Sequence, residues 1–267
     1  MHTTIGQHLD DDALLGRSQN ARVQQATNHL LHTIDLFSLA LVGGAIVLAG
    51  VARARLGLAV GAAALIGGSI AISEGLKHTL LRPELFHPDP LAHPSFPSGH
   101  TTVALSLALA LLLVVPVRWR GPTAVAGALY GAAVGAATVT AAWHRPSDVI
   151  GAFLVTTGCA AVICAALVSE WGPGSATARR RALRTDRIVV PLLGVSAVLL
   201  TIVGFAVAST VAAIRDRHLQ AVSIGAAYVG SVAVIFATGP VVVAVLVWCL
   251  RDVSLDDVGA PEAIEVG

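Results

Sequence analysis

Residues 94–117 read PSFPSGHTTVALSLALALLLVVPV. The stretch is polar and proline-punctuated as far as Thr102, and from Val103 to Val117 it carries no charge. Apolar runs of this kind recur along the chain. At about 18 to 30 residues each, they are long enough to cross a hydrocarbon layer about 30 Å thick. The composition agrees. Of 267 residues 55% are hydrophobic and 12% charged, and the mean hydropathy is +0.77, which leaves too little polar material to clad a soluble domain of this length. The fold class is therefore all-α: a polytopic transmembrane helical bundle of about seven spanning helices.

Those helices are predicted at 34–52, 57–76, 100–117, 121–143, 148–168, 188–213 and 221–250. The chain divides into a polar N-terminal segment (1–33), a five-helix core (34–168), a basic linker (169–187), two further helices (188–250) and a polar tail (251–267). The first segment lacks the basic-then-apolar build of a cleavable signal peptide, so targeting is expected to fall to the first spanning helix. Pro240 is expected to kink the last helix as a packing adjustment.

Threading the helices alternately across the membrane sorts the charges. Arg53, Arg55, Arg118, Arg120, Arg179, Arg180, Arg181, Arg184, Arg187 and Arg251 fall on one side. Lys77, Arg82, Arg145, Arg215, Arg217, Arg17 and Arg22 fall on the other. The ten-residue side is expected to be cytoplasmic. The linker ARRRALRTDR would then lie at anionic headgroups, worth about 1 kcal/mol per charge. The less basic side holds all ten histidines. It also holds Lys77, the PSGH run and a later WHRPSDV (143–149), so polar groups distant in sequence share one membrane face.

These groups suit phosphate chemistry. A helix N-terminus leaves unpaired N–H groups and a dipole that favours an anion, and Gly99 lets the backbone come close. Ser98 is an N-cap by type and a hydroxyl donor by chemistry, whereas His100 has no capping purpose. His144 precedes Asp148 by four residues, a spacing at which the carboxylate can orient the imidazole as nucleophile or base. Ser147 or Asp148 can cap the following helix. Lys77, Arg82 and Arg145 read either as snorkelling cations at helix ends or as phosphate ligands. His78, His87 and His93 with Glu84 and Asp89 match no metal-ligand spacing. Cys159, Cys164 and Cys249 lie in apolar runs as small core residues. Neither a nucleic-acid surface nor a metal or other cofactor is expected, and nothing marks protein partners.

At these residues the chain resembles the type 2 phosphatidic acid phosphatase (PAP2) superfamily over about 55–168. The shared pattern is a Lys followed by Arg-Pro, then Pro-Ser-Gly-His, then Arg, His and Asp. Pro97-Ser98-Gly99-His100 and the His144/Asp148 pair match it. KHTLLRP (77–83) is shorter than the first motif, so that strict spacing puts Glu84 where Arg82 is expected to serve. Thr138 stands where the third motif has Arg. The resemblance implies a membrane-embedded lipid phosphatase without cofactor: His144, oriented by Asp148, as nucleophile; His100 as acid; Lys77, Arg82, Ser98 and Gly99 around the phosphate; and Arg145 as a substitute for the absent Arg. It further implies a lipid phosphate or polyprenyl (pyro)phosphate as substrate and a multi-pass protein of the cell membrane, and the charge sorting puts the site on the extracytoplasmic face. A catalytically degenerate lipid-binding or partner-organising membrane protein, or phosphoryl transfer to an acceptor other than water, are the alternatives that Glu84 and Thr138 leave open. A transporter is disfavoured, since no inverted repeat is visible.

Overall fold

The computed structural model describes residues 4–17, 21–33, 36–80, 95–171, 187, 190–204, 206 and 220–250. Arg82, Glu84, His87, Asp89, His93, most of the basic linker and the tail after Leu250 lie outside the described residues. Among the described residues the chain is all helical. The helices are α1 (Thr4–Leu15), α2 (Ala21–Thr33), α3 (Leu36–Ala52), α4 (Leu56–Thr79), α5 (Gly99–Val114), α6 (Val117–Thr140) and α7 (Pro146–Trp171). They are followed by α8 (Val190–Gly204) and α9 (Gln220–Leu250). α4, α6, α7 and α9 each contain a stretch long and apolar enough to cross a membrane, and α3, α5 and α8 are shorter apolar helices.

α5 is the axis of the bundle. It touches α3, α4, α6, α7 and α9, and its Leu105, Leu109, Leu112 and Leu113 are fully buried, as expected of a helix that is apolar all round. Close packing on it depends on glycines four apart in α6. A Cβ at Gly127 would lie 3.1 Å from that of Ala108, one at Gly131 would lie 3.1 Å from Leu105, and one at Gly135 would lie 2.6 Å from Val149 of α7. Such small-residue ridges let apolar helices approach where no hydrophobic driving force separates protein from lipid. α9, with Pro240 inside it, packs on α6 and α7, and its Ile235, Val243 and Leu246 share the core cluster of the five-helix block.

The two ends of the bundle differ chemically. At one end Arg53 donates to the Val114 carbonyl (2.8 Å) and Arg120 to that of Leu250 (3.2 Å), so cations meet the C-termini of α5 and α9. The C-terminus of α4 and the N-termini of α5 and α7 form the other end. There α4 continues beyond the predicted 57–76: Lys77, expected at the start of a loop, lies in its last turn, ion-paired with Glu74 at 2.6 Å.

The polar N-terminal segment supplies two helices at this same end. α1 packs on α9 and α7, and α2 on α6. Ala13 and Leu14 of α1 are buried, and Leu31 of α2 joins Ala104, Val134 and Ala141 in a second small core. A few apolar residues on one helical face suffice to dock a segment whose composition is otherwise polar.

Candidate active site

Three segments converge at this end. The first is the loop before α5. Ser98 is the N-cap: its hydroxyl accepts from the Thr101 N–H at 3.4 Å and lies 3.0 Å from the Thr101 hydroxyl. Its own N–H donates to the Asp148 carbonyl at 3.0 Å, which stitches the PSGH run to α7. Ser98 is fully buried, so the hydroxyl serves the helix end. Phe96 anchors the loop by lying on Gly151, where a Cβ would come within 2.3 Å of the ring. Gly151→Ala is therefore expected to displace the loop and cost about 1–3 kcal/mol of stability, the usual range for overpacking. The measurement is thermal unfolding against Gly158→Ala, a site where a Cβ meets nothing within 4 Å.

The second segment is the turn from α6 to α7. The Thr138 carbonyl accepts the N–H groups of both Trp143 (3.0 Å) and His144 (3.3 Å), and Ala142 takes a positive φ of 61° to close the turn. α7 then begins with Pro146 at its first position, where a missing N–H costs nothing. Asp148 reaches back from the third position to accept the Arg145 N–H at 3.0 Å. The same carboxylate oxygen lies 3.6 Å from His144 Nδ1. That is an ion-pair distance, longer than a hydrogen bond, and apo catalytic contacts are often this long before substrate tightens them. Both His144 Nδ1 and the second carboxylate oxygen of Asp148 are buried without a hydrogen-bond partner. Nε2 is left as the ring's other nitrogen.

The third segment is the C-terminal turn of α4, which brings Lys77 Nζ to 3.2 Å from where a Gly99 Cβ would lie. A Cβ at position 99 would make the ammonium give by a few tenths of an ångström, so glycine leaves Lys77 its closest approach to the α5 N-terminus. Lys77, Gly99, His100 and His144 all line one cavity of about 780 Å³ between α3, α4 and α5. The rest of its wall is mostly apolar, with Leu39, Val47, Ile66, Ile70, Val103 and Leu107 prominent. His100 stacks at a tilt on Trp143, with ring centroids 5.1 Å apart, and Trp143 meets His32 of α2 edge-on at the same distance.

Some candidates lie elsewhere. Arg145, 1% exposed, does not line the cavity, and its Nε donates to Asp11 of α1 at 2.9 Å. Thr138 is fully buried and bonds the Gly135 carbonyl in its own helix. Arg82 lies outside the described residues. No group of three or more metal-ligating side chains occurs among the described residues. Two acidic features escaped the sequence reading. Glu74 lines the cavity and holds Lys77; its position three residues before Lys77 was readable as a helical pair only if α4 was known to run on. Asp10 and Asp11 of the DDD run contact Ser147 and Arg145, a meeting across the whole core for which the sequence carries no local signal.

Residues 55–171 match the sequence model of the PAP2 superfamily. This segment is similar to the PAP2 superfamily. No curated protein and no solved structure matches the chain. The PAP2 segment contains α4 to α7 and with them Lys77, Gly99, His100, His144 and Asp148, whereas Asp10, Asp11, the α3 wall of the cavity and α9 lie outside it. The fold is thus a helical membrane bundle with a PAP2 segment at its centre.

Proposed function

We propose that the protein is an integral-membrane phosphatase for a lipid phosphate or polyprenyl (pyro)phosphate, acting through a phosphohistidine at His144. The observation that carries this reading is the cavity. Two histidines, a lysine and a helix N-terminus meet at one end of it, and the remaining walls are apolar enough for an acyl or prenyl chain. A phosphate on such a lipid would sit against Lys77 and the α5 N-terminus, with Arg82 a further ligand by its place in the first motif.

His144 Nε2 attacks phosphorus, with Asp148 holding the Nδ1 proton. The P–O bond to the lipid breaks as the P–N bond forms, and His100 protonates the departing oxygen. Water, deprotonated by the same His100, then breaks the P–N bond and releases phosphate. Lys77 and the α5 N–H groups hold the three phosphoryl oxygens throughout, placed where charge is redistributed in the transition state. Ser98 supports this by capping α5 and tying it to Asp148. Arg145 supports it by fixing the start of α7. The chemistry asks for no metal. The less basic end carries the site, which favours the extracytoplasmic face of the cell membrane with lipid approaching from the outer leaflet.

One observation favours a second reading, in which lipid is bound without turnover: the Glu74 carboxylate already holds the Lys77 ammonium at 2.6 Å. Phosphate release by the detergent-solubilised protein over a panel of lipid phosphates separates the two. Release that persists in EDTA is expected. Folded protein that binds the lipids and releases nothing would favour the second reading, and activity abolished by EDTA and restored by a metal would overturn the mechanism.

A further inference from the structure

We infer that α1 is a positioning element of the site, with Asp10 and Asp11 holding the turn that presents His144. The inference rests on the phosphatase reading only for the word positioning; the contacts themselves are independent of substrate.

The first N–H groups of α7 need acceptors, as at any helix start. Arg145 at the cap position has none to offer in its side chain. Asp148 satisfies the Arg145 N–H, and the next free donor, the Ser147 N–H, is taken by Asp10 from 137 residues away at 3.2 Å. The other oxygen of Asp10 accepts the Ser147 hydroxyl at 2.5 Å. Asp10 is only 8% exposed, so this is a buried carboxylate at a helix N-terminus, where the dipole favours it. Asp11 accepts from Arg145 Nε at 2.9 Å; the arginine is 1% exposed and the carboxylate 39%.

The two aspartates therefore grip the residues between His144 and Asp148. On the other side His144 hangs from the Thr138 carbonyl of α6. The nucleophile is suspended between α6 and α1, and the 3.6 Å gap to Asp148 depends on both anchors. Loosening α1 removes the Asp11 hold on Arg145, whose N–H bonds the Asp148 carboxylate. A side-chain loss outside the PAP2 segment should then act on chemistry more than on binding, because the phosphate-holding Lys77 lies on α4.

The test uses the full chain in detergent with Asp10→Asn and Asp11→Asn, singly and together. The expected result is a kcat lowered about ten- to a hundredfold, the cost of a misplacement near 1 Å, with KM and the thermal midpoint close to wild type. Diethyl pyrocarbonate should modify His144 several-fold faster in the variants, with the exposed His29 as internal reference. Unchanged kcat and unchanged His144 modification in folded variants would overturn the inference. So would a loss of activity that follows only the loss of folded protein. Should the wild type release no phosphate from any lipid, the phosphatase reading fails, and the His144 modification rates still decide whether α1 holds the turn.

Discussion

His144→Ala is expected to give folded protein with no measurable phosphate release. The turn that carries the residue is held by main-chain bonds from Trp143 and His144 to the Thr138 carbonyl, and these survive truncation of the side chain. What goes is the one imidazole among the described residues that both lines the cavity and faces Asp148. Thr102, also on the cavity wall, already donates to the Ser98 carbonyl at 2.9 Å and is no substitute nucleophile. Removing a nucleophile that works as part of a unit costs on the order of 10⁶-fold, which a release assay reads as zero. The thermal midpoint, measured alongside, should stay near wild type. Substantial turnover in the variant would end the assignment of His144.

His100→Gln is expected to cost about 10²–10⁴-fold in kcat, the span of a positioned general acid. Glutamine keeps bulk against Trp143 but cannot give up a proton. The loss should depend on the leaving group. A lipid alcohol departs as a strongly basic alkoxide and needs the proton. A pyrophosphate, whose leaving oxygen is a weakly basic phosphate, needs it far less. Comparing a lipid monophosphate with its pyrophosphate therefore checks the role itself. Equal losses on both would mean that His100 shapes the cavity without acting as the acid. Combined with His144→Ala, the second change should add little, because residues acting as a unit are not additive.

The helical membrane architecture was legible because lipid demands long apolar runs with internally satisfied backbones, and such runs are visible as composition alone. The meeting of PSGH with HRPSD was legible as motif and as membrane face. The bond that makes it physical, Ser98 N–H to the Asp148 carbonyl, was not, since a main-chain contact leaves no mark on residue type. Lys77 was legible as a cation, but its place inside α4 was not, because the helix runs on past the apolar stretch through a Glu74–Lys77 pair. The Arg145 side chain could be read only as a charge near the nucleophile; its direction followed from Asp11, more than a hundred positions earlier. The N-terminal segment was the least legible part. α1 and α2 dock through Ala13, Leu14 and Leu31, too few apolar residues to stand out from a polar background. The Gly127, Gly131 and Gly135 ridge was in plain view as a spacing of four, and abundance of glycine alone did not reveal it.

The central claim is that phosphate passes through His144. Rapid mixing of the purified protein with a lipid phosphate labelled in the phosphoryl group, followed by an alkaline quench and peptide mapping, tests it most directly. The account predicts a transient label on the peptide containing His144, stable to base and lost in acid. Turnover by the wild type with no label at His144, or with an acid-stable label elsewhere, would contradict it.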